Sequence, residues 1–195
     1  MVTKTGEAHC WGDNFAGQLG DGTTKERRTP APVAGLTDVV QMDQDGMFGC
    51  AVRKSGKVAC WGPSKFSKLG APAKAEDVST PVEVVGLDDA VSVDTTTRSA
   101  CAIKRDGSVV CWGNFDPGNG PEPPYNSVGA LPVEGLTGAR LLQLRDESAR
   151  VIARRGPYFA PLAVRARRTA SRLFSAHTAS TPIGPSRLRP SFVSE

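Results

Sequence analysis

The feature that most constrains this chain is a repeat of about fifty residues. The tripeptide Cys-Trp-Gly begins at Cys10, Cys60 and Cys111, so its copies are 50 and 51 residues apart. A proline followed shortly by Gly-Leu spans residues 32–36, 81–87 and 132–136. A Cys-Ala-hydrophobic run begins at Cys50 and again at Cys101. Three landmarks that keep the same step indicate a tandem repeat.

Each repeat is predicted to form short strands. Apolar stretches at 33–36, 39–42, 82–85 and 90–93 are separated by clusters of Gly, Pro, Asp and Asn, and no stretch keeps helical spacing for long. About four short strands in fifty residues is the blade pattern of a β-propeller. A single small sheet has no core of its own, so neighbouring blades must cover one another. The predicted fold is all-β: an incomplete β-propeller of about three blades over residues 1–139, with an irregular C-terminal tail.

A hairpin is predicted inside each repeat, and its loop decides which cysteines face each other. Gly56 and Gly107 suit the left-handed position of a three-residue hairpin loop. The facing pairs are then Cys50 with Cys60 and Cys101 with Cys111, on an apolar side of the sheet. Directly opposed Cβ atoms lie roughly 4.5–5.5 Å apart, so a disulfide in each hairpin is predicted after small adjustment. The alternative is two pairs of reduced, buried cysteines. Zinc is not favoured, because each pair supplies only two ligands.

The two ends of the repeat pattern are irregular. The position facing Cys10 falls immediately before Met1, so we expect an unpaired Cys10 and a start that is truncated or misassigned. Gly156 aligns with the hairpin glycines, which predicts a degenerate fourth hairpin over residues 140–160. The residues at its two cysteine positions are Arg150 and Ala160, so that hairpin would have no bridge.

The charge composition of the chain changes after residue 139, where the repeat pattern ends. Residues 1–139 contain 13 basic and 17 acidic residues, whereas residues 140–195 contain 11 arginines, no lysine and 3 acidic residues. Residues 161–195, rich in Arg, Ser and Pro, are predicted to be a disordered tail or a read-through in another frame. The arginines could attract nucleic acid or an acidic membrane. No aromatic platform accompanies them, so a nucleic-acid role is not favoured.

The run from Cys10 to Gly22, CWGDNFAGQLGDG, resembles the signature of the regulator of chromosome condensation repeat, especially its cysteine-bearing bacterial version. The resemblance covers residues 1–139 and implies a blade of a seven-bladed propeller for each repeat. Three units of seven cannot close a ring, so an open fragment with exposed edges is expected. The second and third copies depart from the signature at 63–70 and 116–120.

The conserved-looking residues of the repeats are interpreted as structural. They are Trp11, Trp61 and Trp112, which suit blade packing, with Gly12, Gly62 and Gly113 beside them and the loop glycines Gly56 and Gly107. The glycines of 17–22 lack the strand and helix of a phosphate-binding loop and are assigned to turns. The segment 43–46, Asp-Gln-Asp-Gly, lacks the later glutamate of a calcium loop and is read as a solvated turn.

The sequence has few candidate catalytic residues, so the chain is not predicted to be an enzyme. Its two histidines are His9, in a predicted strand, and His177, in the tail, and no nucleophile-elbow serine motif occurs. We predict no catalytic residues, cofactor, metal or small-molecule substrate. No apolar run reaches the roughly 20 residues of a membrane helix, and the start has no signal-peptide pattern.

The predicted function is non-catalytic protein binding through blade loops, with a partner that the sequence does not identify. The resemblance suggests loops at one end of the propeller, as in propeller-type β-lactamase inhibitors. It also implies an alternative, guanine-nucleotide exchange on a small GTPase, as the eukaryotic family member performs. Exchange takes place in a reducing nucleus, so paired cysteines favour an extracellular or cell-surface location for the full-length protein.

Overall fold

The computed structural model describes residues 1–63, 69–71, 78–113, 127–145 and 148–153, and these ranges contain twelve β-strands and no helix. The strands are β1 (His9–Gly12), β2 (Arg27–Pro32), β3 (Val39–Asp45), β4 (Phe48–Arg53), β5 (Val58–Gly62), β6 (Val78–Glu83), β7 (Ala90–Thr95), β8 (Ser99–Lys104), β9 (Val109–Gly113), β10 (Ser127–Pro132), β11 (Ala139–Arg145) and β12 (Ser148–Ala153). The predicted all-β class is confirmed. The predicted tail, and the fourth hairpin beyond β12, lie outside the described residues.

The strands form two full sheets and two short ones, and all neighbours within a sheet are antiparallel. The full sheets have the orders β3-β4-β5-β6 and β7-β8-β9-β10, while β1 pairs with β2 and β11 pairs with β12. The first strands lie side by side, because β3 contacts β7 and β7 contacts β11. Four-stranded meanders packed one after another are the blades of a partial β-propeller, as predicted.

The register of the hairpins is the one that their loops predict. The facing pairs are Cys50 with Cys60 and Cys101 with Cys111. Disulfides join both pairs, with Cα–Cα distances of 4.1 and 4.0 Å. Near the loop, the Arg53 N–H donates to the Lys57 carbonyl at 2.9 Å. Because bonded and non-bonded pairs alternate along an antiparallel ladder, the first cysteine pair is a non-hydrogen-bonded one, where Cα atoms approach most closely.

The central hairpin of each full sheet is buried on both faces. In the β4–β5 hairpin, Ala51, Ala59 and Trp61 pack with Leu19 and Val33 of the first repeat. The other face carries the disulfide and packs against the next sheet, in a cluster that includes Val52, Val58, Val93, Ala100 and Trp112. The second disulfide packs in the same way with Leu142 and Leu144 of β11. The apolar core is therefore shared between successive sheets.

Each hairpin loop is bonded to the start of the next sheet. The carbonyl oxygens of Gly6, Gly56 and Gly107 accept hydrogen bonds of 2.8–2.9 Å from the amides of Val39, Ala90 and Ala139. Gly56 has a φ of +88°, and a Cβ there would lie 2.4 Å from the Asp88 carbonyl oxygen. The glycine thus serves both the turn and a close approach between sheets.

Candidate functional site

The sheets have two ends with different loops. We call the end that carries the loop 13–26 and the turns 46–47 and 96–98, where β5 and β9 end, the long-loop end. Gly62 and the turn at Met47 meet there, since a Cβ on Gly62 would lie 2.2 Å from the Met47 carbonyl oxygen. Of the connections β1–β2, β5–β6 and β9–β10, only the first, residues 13–26, is described throughout. Protein-binding residues concentrate on such loops when a rigid scaffold holds them.

At the opposite end the loops are short, and an ion pair recurs in successive repeats. Arg53 Nε donates to Asp38 Oδ1 at 2.8 Å, and Lys104 Nζ lies 3.1 Å from Asp89 Oδ2. Both pairs occupy the same place in successive repeats, joining the end of the second strand to the residue before the first. These repeated contacts serve the architecture, so we regard the long-loop end as the candidate functional site.

Asn14 organises the loop 13–26 from the inside. Its side chain is buried, and its Oδ1 accepts a 2.9 Å hydrogen bond from the Leu19 N–H. Its Nδ2 lies 3.2 Å from Asp21 Oδ1 and 3.0 Å from the Thr23 carbonyl oxygen, and it also approaches the Lys25 carbonyl at 3.1 Å. One side-chain amide therefore joins both halves of the loop through hydrogen bonds.

Asp21 extends this network to the start of β2. Its Oδ2 accepts a 2.7 Å hydrogen bond from Arg27 Nε, and its Oδ1 accepts hydrogen bonds from the backbone and hydroxyl of Thr23. Burial by itself raises the pKa of Asp21, but the hydrogen bonds from Thr23, Arg27 and Asn14 outweigh it and leave the pKa below its ordinary value. The carboxylate is therefore charged and fully engaged within the protein at neutral pH.

The same loop docks onto the second repeat. The Gln18 carbonyl accepts hydrogen bonds from Trp61 Nε1 at 2.9 Å and Gln44 Nε2 at 3.1 Å. The Gly22 N–H donates to the Ser79 carbonyl at 2.8 Å. Backbone groups of the signature loop therefore hydrogen-bond to the neighbouring blade, and the glycines of the loop lie in turns and close contacts.

The structural residues predicted from the sequence fall into different environments. Trp61 and Trp112 are 0% and 1% exposed, whereas Trp11 is 50% exposed. The glycines that follow them, Gly12, Gly62 and Gly113, have φ values of +108°, +107° and +87°. The three copies share a backbone conformation, but only two of the tryptophans are packed in the core of the described residues.

Two exposed apolar side chains at the long-loop end were not identified from the sequence. Phe15 is 72% exposed although its neighbours Asn14 and Ala16 are buried, and Met47 is 42% exposed in the turn between β3 and β4. The signal for Phe15 was an aromatic residue inside a loop of small and polar residues. An exposed aromatic ring on a loop held by Asn14 is the kind of group that anchors protein interfaces.

The segment 43–46, which we read from the sequence as a solvated turn, lies instead mostly within β3, where Asp43, Gln44 and Asp45 are partly buried. Asp43 Oδ2 accepts hydrogen bonds from the amide and hydroxyl of Thr95, at 2.8 and 2.6 Å. One of its two predicted carboxylates is therefore directed toward the neighbouring blade, and no group of three metal-ligating side chains gathers among the described residues. Cys10, the unpaired cysteine, is buried with its Sγ 3.4 Å from Gln44 Oε1, and burial raises its pKa. Within the described ranges, no helix has the length and apolar character needed to cross a membrane.

Comparison with known proteins identifies the family. Residues 5–52 match the family model described as the regulator of chromosome condensation (RCC1) repeat. Human E3 ubiquitin-protein ligase HERC2 is 30% identical over 161 residues, which are 78% of this chain and 3% of that protein. The chain belongs to the RCC1 repeat family. The mouse regulator of chromosome condensation is 33% identical over 120 residues, 60% of this chain and 28% of that relative.

Solved RCC1-type structures confirm the propeller architecture. Human WBSCR16 superposes with a TM-score of 0.64 at 22% identity, covering 77% of this chain and 42% of that one. Yeast RCC1 (Prp20), solved bound to Kap60, gives 0.61 at 19% identity, covering 78% of this chain and 38% of that one. This RCC1-repeat chain therefore spans less than half the length of these relatives. At such identities the likeness establishes the fold alone.

Proposed function

We propose that this chain forms part of a non-catalytic propeller that binds another protein through its long-loop end, with Phe15 as an anchor. The observation that carries the proposal is a 72% exposed phenylalanine on a loop that is already rigid. A preorganised loop loses little conformational entropy on binding, so more of the contact energy appears as affinity. At the opposite end, Arg53 and Lys104 are engaged in ion pairs with Asp38 and Asp89 of their own blades.

Related proteins support a binding role. Yeast RCC1 (Prp20) was crystallised bound to Kap60. Prp20p from Saccharomyces cerevisiae, with a TM-score of 0.54 to this chain, was characterised for its binding to Gsp1p and histones. These partners belong to those proteins. What we carry over to this chain is the use of a propeller as a protein-binding scaffold.

The test uses a photoreactive benzoyl-phenylalanine in place of Phe15, with the same substitution at Val85 as the matched control. Val85 is 49% exposed but lies in the link between β6 and β7, at the opposite end. We expect a discrete crosslinked protein from position 15 and none from position 85. For that purified protein, Phe15→Ala should weaken binding about 10- to 100-fold, since burying a phenylalanine contributes about 1.5–3 kcal/mol.

The proposal is abandoned if both positions give the same adducts, or if Phe15→Ala and Val85→Ala bind the crosslinked protein as tightly as the unchanged chain. Because the Phe15 side chain is apolar and mostly exposed, its removal should leave the fold in place. Circular dichroism checks this. The experiment then separates a binding role from a structural one.

Guanine-nucleotide exchange on a small GTPase is the second candidate. It is favoured by the similarity to the regulator of chromosome condensation over 60% of this chain, although that match spans 28% of the relative. The assay follows release of a fluorescent guanine nucleotide from Gsp1p on addition of the full chain. Release at the rate of the chain-free control would remove this candidate and leave the binding role untouched.

We also propose that the full-length protein works in an oxidising, extracellular or cell-surface environment. The support is the pair of buried cross-strand disulfides, which such compartments allow to form and persist. Protein taken from its own cells should be alkylated while it is unfolded, without a reductant, and its peptides weighed. Cys50, Cys60, Cys101 and Cys111 are expected to remain unalkylated, whereas alkylation of all four would indicate a reducing compartment.

A further inference from the structure

The described strands include two half-blades in addition to the two full sheets. The strand β1 pairs with β2, and β11 pairs with β12. The first and second copies of Cys-Trp-Gly lie in β1 and β5, so β1 and β2 are the third and fourth strands of a blade. The registers of β11–β12 and β3–β4 are the same, with a bulge after the first facing pair of each, so β11 and β12 are first and second strands. Each half-blade therefore has the strands that the other lacks.

The edge of β1 that faces away from β2 is covered only at its start among the described residues. The Met1 ammonium donates to the His9 carbonyl and the His9 N–H donates to the Met1 carbonyl, both at 2.8 Å. Val2 forms an isolated bridge with Ala8. Trp11 lies two residues beyond His9, so its backbone N–H and carbonyl point toward the same edge. In the second repeat, β4 covers the corresponding edge of β5 as far as its tryptophan. The edge beside Trp11 is thus an open position for a strand.

An open cavity of about 490 Å³ lies between this edge and β3. It is lined by Met1, Val2, residues 9–11 and residues 41–44. The equivalent face of β7 is covered by β3 and β4, the first and second strands of the preceding sheet. Trp11 borders the cavity and is 50% exposed, whereas Trp61 is buried. The cavity is therefore part of the space that a first and a second strand would fill.

The strand β11 presents the matching surface. Gln41 and Asp43 of β3 form hydrogen bonds with the backbone of β7 in the next sheet. Leu141 and Gln143 occupy the same positions in β11 and are both exposed, Leu141 to 45%. The amide oxygen of Gln143 can accept a hydrogen bond as the Asp43 carboxylate does. Leu141 is an apolar group that a following sheet would bury.

We propose that two copies of this chain associate head to tail, so that β11 and β12 of one copy and β1 and β2 of the other form one four-stranded blade. The strand β12 then pairs with β1 as β4 pairs with β5, and β11 lies beside β3 as β3 lies beside β7. Each copy holds two full sheets and two half-blades, which make three blades, so two copies make six. Propellers have about four to eight blades, and two head-to-tail contacts related by a two-fold rotation close a ring.

The repeat also gives the register of the new strand pair. Arg150 is the third residue of β12, as Cys50 is the third residue of β4. Cys60, which faces Cys50, begins the copy of the tripeptide that corresponds to Cys10. The proposed pairing therefore places Arg150 of one copy opposite Cys10 of the other.

Met1 and Val2 occupy part of this position in the single chain. They face His9 and Ala8, which face β12 in the joined blade. Association therefore requires the first residues to leave β1. They give up two facing pairs, whereas the second copy supplies a strand of six residues. The exchange adds strand pairing along the edge and covers Trp11, which favours the joined blade.

Trp11 is the side chain whose surroundings change most. Trp61 packs in one cluster with Val33 of the preceding blade. Val133 is the counterpart of Val33, because the amide of each donates to a carbonyl at or just before the start of the third strand, at 2.9 and 2.8 Å. In the head-to-tail pair, Trp11 of one copy therefore lies against Val133 of the other.

The first test uses the full chain with Arg150→Cys, kept with oxidised glutathione. The introduced thiol and the Cys10 thiol of the second copy lose two electrons and two protons to oxidised glutathione, which becomes two molecules of reduced glutathione. We expect a disulfide-linked dimer on non-reducing gels, with the linked peptides identified by mass spectrometry. Ala149→Cys is the matched control and should give little of it, because neighbouring residues of a strand face opposite sides. Combining Arg150→Cys with Cys10→Ser should abolish the link.

The second test measures association of the unsubstituted chain. It should sediment with a mass of 20.5 kDa at low concentration and with twice that mass at high concentration. Iodide should quench a smaller share of the tryptophan emission in the dimer, because Trp11 becomes buried. Leu141→Asp should weaken the dimer at least about tenfold, since it removes a buried leucine from the contact. Val91→Asp is the matched control, because Val91 is 47% exposed but lies in β7.

A single chain at every concentration would overturn the proposal, as would equal weakening of the dimer by Leu141→Asp and Val91→Asp. A disulfide that joins position 150 to Cys10 of the same chain would also overturn it. If Arg150→Cys does not fold, the sedimentation and quenching of the unsubstituted chain decide by themselves.

Discussion

Replacing Gly20 by alanine should destabilise the protein because the added methyl group has no space. Gly20 ends the Gln-Leu-Gly of the signature loop at a φ of +69°. A Cβ there would lie 2.8 Å from Trp61 Cδ1 and 2.8 Å from Val33 Cγ1. Trp61 is fully buried, and its Nε1 is bonded to the Gln18 carbonyl in the same loop. The ring therefore cannot move away without losing both its packing and its hydrogen bond.

Two effects add up at this position. The left-handed backbone costs about 1–2 kcal/mol for a residue that carries a Cβ. Overpacking a close-packed site costs about 1–3 kcal/mol more. We therefore expect Gly20→Ala to lower the free energy of unfolding by about 2–5 kcal/mol. Gly35 is the matched control, because its φ is +70° and a Cβ there meets nothing within 4 Å. Gly35→Ala should show the backbone part alone, about 1–2 kcal/mol.

Urea unfolding of the two variants, followed by circular dichroism and by tryptophan emission, measures the difference. We expect Gly20→Ala to be less stable than Gly35→Ala by about 1–3 kcal/mol, with similar slopes in urea. The emission of native Gly20→Ala should also shift to longer wavelength as Trp61 loses its close packing. Equal losses of stability for the two variants would refute the reasoning, because the contact with Trp61 would then have no energetic consequence.

Three further changes test other parts of the structure. Asn14→Ala should cost about 2 kcal/mol, because it leaves the buried Leu19 amide unsatisfied and removes the hydrogen bonds to Thr23 and Lys25, and it should speed proteolysis within 13–26. Replacing Cys50 and Cys60 together by alanine should cost about 2–3 kcal/mol in thermal or urea unfolding. Asp21→Asn should be less stable than the wild type at pH 7. The difference in the free energy of unfolding should become smaller below pH 4, because the lowered pKa means that the ionised carboxylate stabilises the folded state and protonation removes this contribution.

The hairpins could be predicted because local geometry decides them. Once Gly56 and Gly107 fix the loop, the period of two along each strand determines every facing pair, including Cys50 with Cys60. The spacing of the repeats likewise predicted the blades, because each sheet is formed by strands that are consecutive in sequence. Assignment to the RCC1 family required only the run from Cys10 to Gly22, which lies within the matched residues 5–52.

Contacts between blades could not be predicted in this way. Trp11 and Trp61 stand in the same tripeptide, yet one is half exposed and the other is buried. The motif alone cannot separate them, because the packing partner of Trp61 is Gly20, which belongs to a different repeat. The bond from Thr95 to Asp43 is hidden for the same reason, because only the packing of β3 against β7 brings the two residues together.

The signature loop divides its residues between the fold and the surface, and this division can be tested. Asn14 and Gln18 are buried and bonded, Leu19 is in the core, and Phe15 alone among these large side chains is directed outward. Because an exposed side chain contributes little to folding, Phe15→Ala should change the free energy of unfolding by less than about 0.5 kcal/mol. A larger loss would mean that the ring packs within the protein, and its role as an anchor would fail. Unchanged stability together with weakened partner binding would show that one loop holds the blades and presents the contact through different residues.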